Sequence, residues 1–407
     1  QKHDFTSPAG LFDEAMKKAL PADKLRNAWE SIEGQLGTLK LKATDRIQKI
    51  ETFDVVFVRC QFAKGTLDTK VVFNQEKKIA GLFFLPPQSF TATKSPSYAL
   101  PERFKESEVT IGSGPWPLPG TLTMPTGSGT FPVLVLVHGS GPNDRDETVG
   151  PNKPFRDIAQ GLASRGIAVL RYDKRTLTWK KNVIEHPVGF TLKEEVIDDA
   201  IAAVSTLQKT PGINPKKIFL LGHSLGGMVI PRIAGADSHI AGFILLAGAN
   251  RPLEDMIVEQ TAYLASRTEK IPEETLKELK DLQKKAAAIK TLQPAQKNAT
   301  GPWIIGALPG YWLDVKEYRV LESAQKITRP LLILQGERDY QVTMKDFENW
   351  KKALAKKANA RFISYPMLNH LFMKGQGPSY PEEYQQPGHV SEGVIKDIAE
   401  FVFKPTL

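Results

Sequence analysis

The spacing of apolar and polar residues changes character along the chain. Over residues 11–20 and 22–33 the apolar positions recur at helical spacing, which predicts two helices. After Gly34 and Gly37 the spacing becomes that of strands, and the predicted strands span about 38–50, 53–63, 66–74 and 78–85. Helices followed by a four-stranded meander predict a small α+β domain over residues 1–85.

A second pattern begins after a stretch rich in Pro, Ser and Thr, residues 86–103, whose composition is typical of a linker. A hairpin is predicted next, and then short apolar strands alternate with helices. The predicted strands are 104–111, 118–124, 132–138, 167–172, 218–221, 240–247, 330–335 and 361–365, and the helices are 155–164, 192–208 and 391–403. This alternation predicts an α/β domain over residues 104–407, with a mainly parallel sheet covered by helices on both faces. In such sheets ligands bind beyond the carboxyl ends of the strands.

One block interrupts the alternation between two core strands, at about residues 250–328. It is helical and rich in Lys, Glu and Gln, and its end is aromatic, with Trp303, Tyr311 and Trp312. A block inserted at the ligand end of a sheet predicts a helical cap. The pattern leaves two roles open for these three aromatic residues, which either pack inside the insertion or line a substrate pocket.

A candidate nucleophile lies at residues 222–226, Gly-His-Ser-Leu-Gly, between the strand 218–221 and the start of a helix. In this context the pentapeptide is typical of a nucleophile elbow. Gly222 and Gly226 pass close to each other in such a turn, because neither carries a Cβ. Ser224 would then stand clear of the sheet at a helix N-terminus, whose dipole favours developing negative charge. We therefore predict Ser224 to be a catalytic serine.

A serine hydroxyl needs a base, and the base needs an orienting carboxylate. The last two predicted strands are followed by Asp339 and His370, respectively. Both side chains are therefore expected on the edge of the sheet that carries Ser224, in the chain order Ser, Asp, His. Glu337 remains the alternative acid and His389 the alternative base.

Attack on an acyl group creates an oxyanion, which requires two N–H donors. The Leu225 backbone N–H, at the start of the elbow helix, is one predicted donor. The Ser140 N–H, in the loop after the strand 132–138, is the other, with Gly139 as the next choice.

Composition excludes several other classes of protein. The net charge of +9 is spread over 407 residues, so no nucleic-acid partner is expected, and we interpret the densest basic segment, 174–181, as a solvated loop. No run of 18 apolar residues exists, so no membrane span is expected. Cys60 is the single cysteine and no Cys/His cluster has zinc-site spacing, so we predict neither metal nor cofactor. Because the chain starts at Gln1 and not Met, we expect a cytoplasmic protein or an exported one whose signal peptide was removed.

Four segments together carry a family resemblance: 138–147, 166–175, 222–227 and 335–342. They resemble the EstD-type bacterial carboxylesterases, which have the α/β-hydrolase fold. The resemblance covers the chain from about residue 104 to its end and rests on length and strand order over residues 1–85. It implies a capped hydrolase domain behind a small N-terminal domain, the triad Ser224, Asp339 and His370, and activity on short to medium acyl esters. None of the triad positions departs from the family pattern.

We therefore predict a cofactor-free serine carboxylesterase whose partner is a small-molecule ester. A serine peptidase or amidase of the same fold is the nearest alternative, and a lipase is less favoured because the insertion is mostly charged. A binding or scaffolding protein with an inactive hydrolase domain is the alternative from another class. Packing, dimerisation and binding are open roles for the domain 1–85, and we favour the first two. Dimerisation would make a second copy of the chain its partner.

Overall fold

The computed structural model describes residues 4–50, 53–85, 95–112, 114–185, 189–267, 271–299 and 303–405. The chain divides into two compact units, Gln1–Thr91 and Ala92–Leu407. Of the predicted linker 86–103, residues 86–94 lie outside the described residues. Tyr98 is buried in the second unit, and its hydroxyl donates a hydrogen bond to the Val390 carbonyl at 2.6 Å.

The first unit is a sheet of antiparallel strands covered by helices. The helices are α1 (Thr6–Gly10), α2 (Glu14–Ala19) and α3 (Ala22–Leu36), and the strands are β1 (Leu39–Ile50), β2 (Phe53–Phe62), β3 (Thr66–Phe73) and β4 (Ile79–Leu85), paired in that order. On α3, Trp29 packs its ring 5.7 Å from that of Phe62. Leu25, also on α3, joins a second buried cluster with Phe12 and Ile79. The apolar residues that gave the helical and strand patterns therefore pack together on one face of the sheet.

The second unit is built on an eight-stranded sheet of order β12-β11-β10-β9-β7-β8-β6-β5. Its strands are β5 (Phe104–Ile111), β6 (Leu118–Pro125), β7 (Phe131–Val137), β8 (Ala168–Tyr172), β9 (Ile213–His223), β10 (Gly242–Leu246), β11 (Leu331–Gly336) and β12 (Ala360–Tyr365). Pairing is antiparallel for β5 with β6 and for β6 with β8, and parallel for the other neighbours. This arrangement confirms the predicted fold class.

Helices connect these strands and cover the sheet. They are α4 (Pro154–Ala163), α5 (Arg175–Thr178), α6 (Lys180–Glu185), α7 (Asp198–Leu207), α8 (Leu225–Ala236), α9 (Leu253–Ala265), α10 (Glu273–Thr291), α11 (Pro309–Glu317), α12 (Val320–Gln325), α13 (Met344–Ala353) and α14 (Glu392–Phe403). A π-helical turn, Lys193–Ile197, leads directly into α7. Among the described residues, none of these helices is both long and apolar enough to cross a membrane.

The predicted insertion, about 250–328, contains α9 to α12. Its longest helix, α10, is solvated over most of its surface and buries Ala286 and Ile289. Helix α11 instead buries most of its apolar residues, including Tyr311 and Trp312. The insertion therefore changes from a charged outer helix to an apolar inner one.

Candidate active site

Ser224 lies in a strained turn between β9 and α8. Its backbone has φ 54° and ψ −116°, a left-handed conformation that is costly for a residue with a side chain. A Cβ on Gly222 would lie 2.6 Å from the Gly227 nitrogen, and a Cβ on Gly226 would lie 2.7 Å from the His138 carbonyl oxygen. Gly222 therefore lets the turn close and Gly226 lets it lie against the end of β7, and the Ser224 side chain is left half-buried at the start of α8.

Asp339 and His370 meet beyond the ends of β11 and β12. The Asp339 Oδ2 lies 2.6 Å from the His370 Nδ1, and both side chains are buried. The other carboxylate oxygen accepts the Gln341 and Val342 backbone N–H groups at 2.8 and 3.0 Å. The carboxylate is thereby fixed, and it holds the imidazole by one nitrogen so that Nε2 is left for other chemistry.

The alternative acid and base have other partners. Glu337 is exposed and accepts a hydrogen bond from the Ser364 hydroxyl at 2.8 Å. His389 pairs through Nδ1 with Asp157 at 3.0 Å, beside α4. Glu337 and His389 therefore take no part in the contact between Asp339 and His370, and the carboxylate that His389 contacts lies on α4.

The loop after β7 carries the predicted oxyanion donor. The Gly139 N–H donates to Glu147 Oε1 at 2.7 Å, so this donor is already used inside the protein. Within the described residues the Ser140 and Leu225 N–H groups have no acceptor, and both residues line the same cavity as Ser224. This arrangement favours Ser140 over Gly139 as the second donor.

Sequence reasoning missed a buried pair beneath the nucleophile, Glu147 and His223. The second oxygen of Glu147 lies 2.8 Å from His223 Nδ1, and His223 Nε2 lies 3.0 Å from the His370 carbonyl oxygen. Burial alone would lower the pKa of His223, but the Glu147 carboxylate overcomes it and the pKa is raised. The pair therefore links the loop after β7 to the loop that carries His370. Both residues lie within segments singled out in the sequence, 138–147 and 222–227, but only the fold brings them together.

The interpretation of residues 174–181 as a solvated loop is wrong, because most of the segment lies in α5 and α6 and its first two residues form ion pairs inside the protein. Lys174 is 2% exposed and lies 2.6 Å from Glu195 Oε1, and its Nζ also donates to the Gly139 carbonyl at 2.8 Å. Arg175 pairs with Asp199 through Nε at 3.1 Å. Their acidic partners follow about 20 residues later in the π-helical turn and α7, so no local pattern could reveal the pairing.

A cavity of about 760 Å³ opens beside Ser224. The insertion forms one wall, and Thr176, Lys180, Val183 and Phe190 contribute to another. Its lining is largely apolar and includes Val183, Phe190, Leu253, Met256, Ile257, Ile305, Ala307, Leu308 and Val342. Glu195 is the carboxylate among the lining residues that the structure describes. An apolar cavity with few polar groups suits a small ligand with a hydrocarbon part.

The three aromatic residues singled out in the insertion have different surroundings. Tyr311 lines the cavity, and its hydroxyl contacts Glu195. Burial raises the pKa of the Tyr311 hydroxyl well above its usual range. Trp312 is fully buried in the main core, and Trp303 packs against the same core. Among the cavity-lining residues that the structure describes, neither tryptophan is present.

Each of the two units matches a known protein family. The family described as "Serine aminopeptidase, S33" matches residues 133–376, and a family of unknown function, DUF3887, matches residues 1–82. Esterase EstD of Thermotoga maritima is 38% identical over 403 residues, which cover 98% of this chain and 92% of that protein.

The solved structures that resemble this chain have low sequence identity to it. Est1E from Butyrivibrio proteoclasticus has a TM-score of 0.48 at 18% identity, covering 73% of this chain and 99% of its own. The Pyrococcus furiosus esterase PF2001 has a TM-score of 0.44 at 17% identity, covering 79% of this chain and 97% of its own. On the family match and the EstD relationship, this chain belongs to the serine aminopeptidase S33 family of α/β-hydrolases.

Proposed function

We propose that the protein is a serine carboxylesterase in which Ser224 is the nucleophile, His370 the base and Asp339 the orienting acid. The contact between His370 Nδ1 and Asp339 Oδ2 at 2.6 Å, beside the elbow that carries Ser224, is the observation that carries the proposal. The 38% identity to an esterase over nearly the whole chain supports an ester as substrate.

The reaction proceeds in two steps. His370 takes the Ser224 proton as the serine oxygen bonds to the acyl carbon, and then gives that proton to the leaving alcohol. The Leu225 and Ser140 N–H groups receive the negative charge on the former carbonyl oxygen. Asp339 holds the imidazole tautomer and stabilises the imidazolium. A water that loses one proton to His370 then attacks the acyl carbon, the bond from that carbon to the Ser224 oxygen breaks, and His370 returns the proton to Ser224 as the acid is released.

The substrate is an ester with a short to medium acyl chain. The lining of the cavity is chiefly aliphatic, and a volume of about 760 Å³ accommodates both the acyl and the alcohol parts of such a molecule. No metal or cofactor enters the proposed steps, since the nucleophile, base and donors all belong to the chain.

Aminopeptidase activity, which the family description names, requires a group that receives the free α-amino group of a peptide. The carboxylate among the described lining residues is Glu195, and Lys174 and Tyr311 already hold it. A cationic substrate end would therefore find no unpaired carboxylate there. This pairing favours the ester over the peptide.

The test is hydrolysis of p-nitrophenyl esters of increasing acyl length, by wild type and Ser224→Ala in parallel. We expect turnover of short and medium esters, and loss of kcat on the order of 10⁶-fold in the variant. A variant that keeps more than a tenth of the wild-type rate would contradict the role of Ser224. Faster turnover of the matching p-nitroanilides would instead indicate an amidase.

A second copy of the chain, held through the unit Gln1–Thr91, is the predicted macromolecular partner. Sedimentation of the full chain measures its mass directly. A monomer at all concentrations would remove this part of the proposal.

A further inference from the structure

We propose that Lys174 is a positioning residue for the oxyanion hole: its ammonium group fixes the Gly139–Ser140 peptide so that the Ser140 N–H faces the reacting acyl group. The inference rests on the proposed function, because it concerns a donor used in ester hydrolysis. The geometry that carries it is the hydrogen bond from Lys174 Nζ to the Gly139 carbonyl at 2.8 Å.

The Gly139 carbonyl and the Ser140 N–H belong to one peptide group. A trans peptide is planar, and its C=O and N–H point in opposite directions. Because Lys174 holds the Gly139 carbonyl, the Ser140 N–H of the same peptide points away from Lys174. Ser140 lines the cavity that holds Ser224, and a Cβ on Gly139 would lie 3.2 Å from the Ser224 Cβ, so this peptide borders the nucleophile.

The preceding peptide is fixed independently, because the Gly139 N–H donates to Glu147 at 2.7 Å. Asn143 Nδ2 also approaches the Gly139 carbonyl, at the longer distance of 3.3 Å. Lys174 thus supplies the shorter and charged contact to the peptide that carries the donor. A cation on the carbonyl also polarises the peptide, which makes its N–H a stronger donor.

A purely structural role does not account for this contact. Arg175, the next residue, pairs with Asp199, so it already joins the segment after β8 to α7. Lys174 is almost fully buried at 2% exposure, and it reaches beyond its own partner Glu195 to the loop after β7. Burying a lysine is costly unless it is paired and hydrogen-bonded, and here both conditions are met.

The experiment compares Lys174→Met with the double variant Lys174→Met/Glu195→Gln. Removing Lys174 alone leaves Glu195 as a buried unpaired charge, which destabilises the protein. The double variant removes both charges and still lacks the donor to the Gly139 carbonyl. Arg175→Met/Asp199→Asn is the matched control, because it removes the neighbouring pair, while the side-chain hydrogen bonds to the Gly139 carbonyl that the structure describes come from Lys174 and Asn143.

The rates are measured with one p-nitrophenyl ester and divided by the number of serines that a fluorophosphonate labels at completion. This division removes the effect of any unfolded fraction. We expect kcat per labelled serine to fall on the order of 10²-fold in both Lys174 variants, the loss typical of one oxyanion donor. The binding of a trifluoromethyl ketone, whose adduct carries the oxyanion, should weaken in parallel, while the control pair keeps the wild-type kcat.

Two results would overturn the inference. One is a double variant whose kcat per labelled serine stays within about threefold of wild type, a change too small for loss of an oxyanion donor. The other is an equal loss in the Arg175/Asp199 control, since that would show a general effect of breaking buried pairs.

Failure of the proposed function can be distinguished from failure of the inference on Lys174, since the wild type would then hydrolyse no ester. In that case the fluorophosphonate labelling rate tests the inference alone, because the phosphonyl oxygen occupies the same hole. Slower labelling of both Lys174 variants supports it, and unchanged labelling contradicts it.

Discussion

At the scale of single residues, the elbow depends on two positions where a side chain cannot be placed. A Cβ on Gly222 would meet backbone atoms of residues 226 and 227, with the Gly227 nitrogen at 2.6 Å. Backbone atoms in a buried turn cannot move aside as a flexible side chain can. The strained backbone conformation of Ser224 is therefore possible because the neighbouring glycines have no side chain.

Gly222→Ala is expected to destabilise the protein by about 3 kcal/mol or more, at the upper end of overpacking effects, and to abolish ester turnover. Urea unfolding and kcat measure the two effects. Gly235→Ala is the control in α8, since a Cβ there meets nothing within 4 Å. It should keep activity and add about 0.5–1 kcal/mol of stability. Equal behaviour of the two variants would contradict the role of the close approach.

A second residue-scale effect concerns pH. His138 is buried between Phe155 and Tyr172, and burial lowers its pKa to about 4 from the ordinary 6.5. Between these values the unfolded chain binds a proton at this histidine and the folded chain does not. The free energy of unfolding therefore falls as the pH falls from 6.5 towards 4.

At pH 5 this effect costs about 2 kcal/mol relative to pH 7. In His138→Gln the difference in the free energy of unfolding between pH 7 and pH 5 should shrink by that amount, as measured in urea. An unchanged pH difference in His138→Gln would refute a neutral buried His138.

His223 acts in the opposite sense. Its raised pKa adds stability below the unfolded pKa, and this stability is lost as the pH rises through the folded value.

At the scale of elements, helix α9 of the cap contacts the loops that follow β11 and β12. Tyr263 stacks between Tyr340, which follows Asp339, and Tyr380, at centroid distances of 5.2 and 5.7 Å. Its hydroxyl donates to the Ser379 carbonyl at 3.0 Å, and Gln260 donates to the Gln341 carbonyl at 2.9 Å. One helix therefore supports both loops and, through Leu253, Met256 and Ile257, lines the cavity.

Tyr263→Ala should raise KM and speed cleavage by trypsin at Arg267, just after α9. Each lost stacking pair is worth about 0.5–1.5 kcal/mol beyond the loss of buried area. Tyr263→Phe keeps both stacking pairs and should stay close to wild type in both measurements. If the alanine variant shows wild-type KM and wild-type cleavage, the stack does not hold the helix.

At the scale of the whole molecule, the two units have separate hydrophobic cores. The main core, with Trp312 and the central strands, lies within Ala92–Leu407, and the clusters around Phe12 and Phe62 lie within Gln1–Thr91. Every residue proposed for catalysis belongs to the second unit. We therefore expect the proposed chemistry to require only that unit.

A chain of residues 92–407 is expected to unfold cooperatively and to keep kcat on p-nitrophenyl esters within a few-fold of the full-length value. Thermal unfolding and steady-state kinetics check this, with Ser224→Ala in the same background as the blank. A shortened chain that is folded but inactive would show that the first unit takes part in catalysis.

Much of the fold could be predicted because it is local. The strands of the first unit and the core strands of the second follow runs whose spacing already matches a strand. The Gly-His-Ser-Leu-Gly turn predicted the elbow because the close approach of Gly222 to residues 226 and 227 is local, although Gly226 also passes close to the His138 carbonyl oxygen on a distant strand end. Asp339 and His370 could be placed because parallel strands end at the same edge of a sheet. The amphipathic helix α13 was missed although its signal is local.

The sequence by itself determined the fold class, the elbow and the order Ser224, Asp339, His370 along one edge. Only the tertiary structure decided which charges are buried, which aromatic residue faces the cavity and which peptide N–H is already occupied. Lys174 and Glu195, or Glu147 and His223, are far apart in the chain, and no periodicity relates them. Their pairing depends on how loops from different strands come together, because burial and electrostatic partners are properties of the assembled fold.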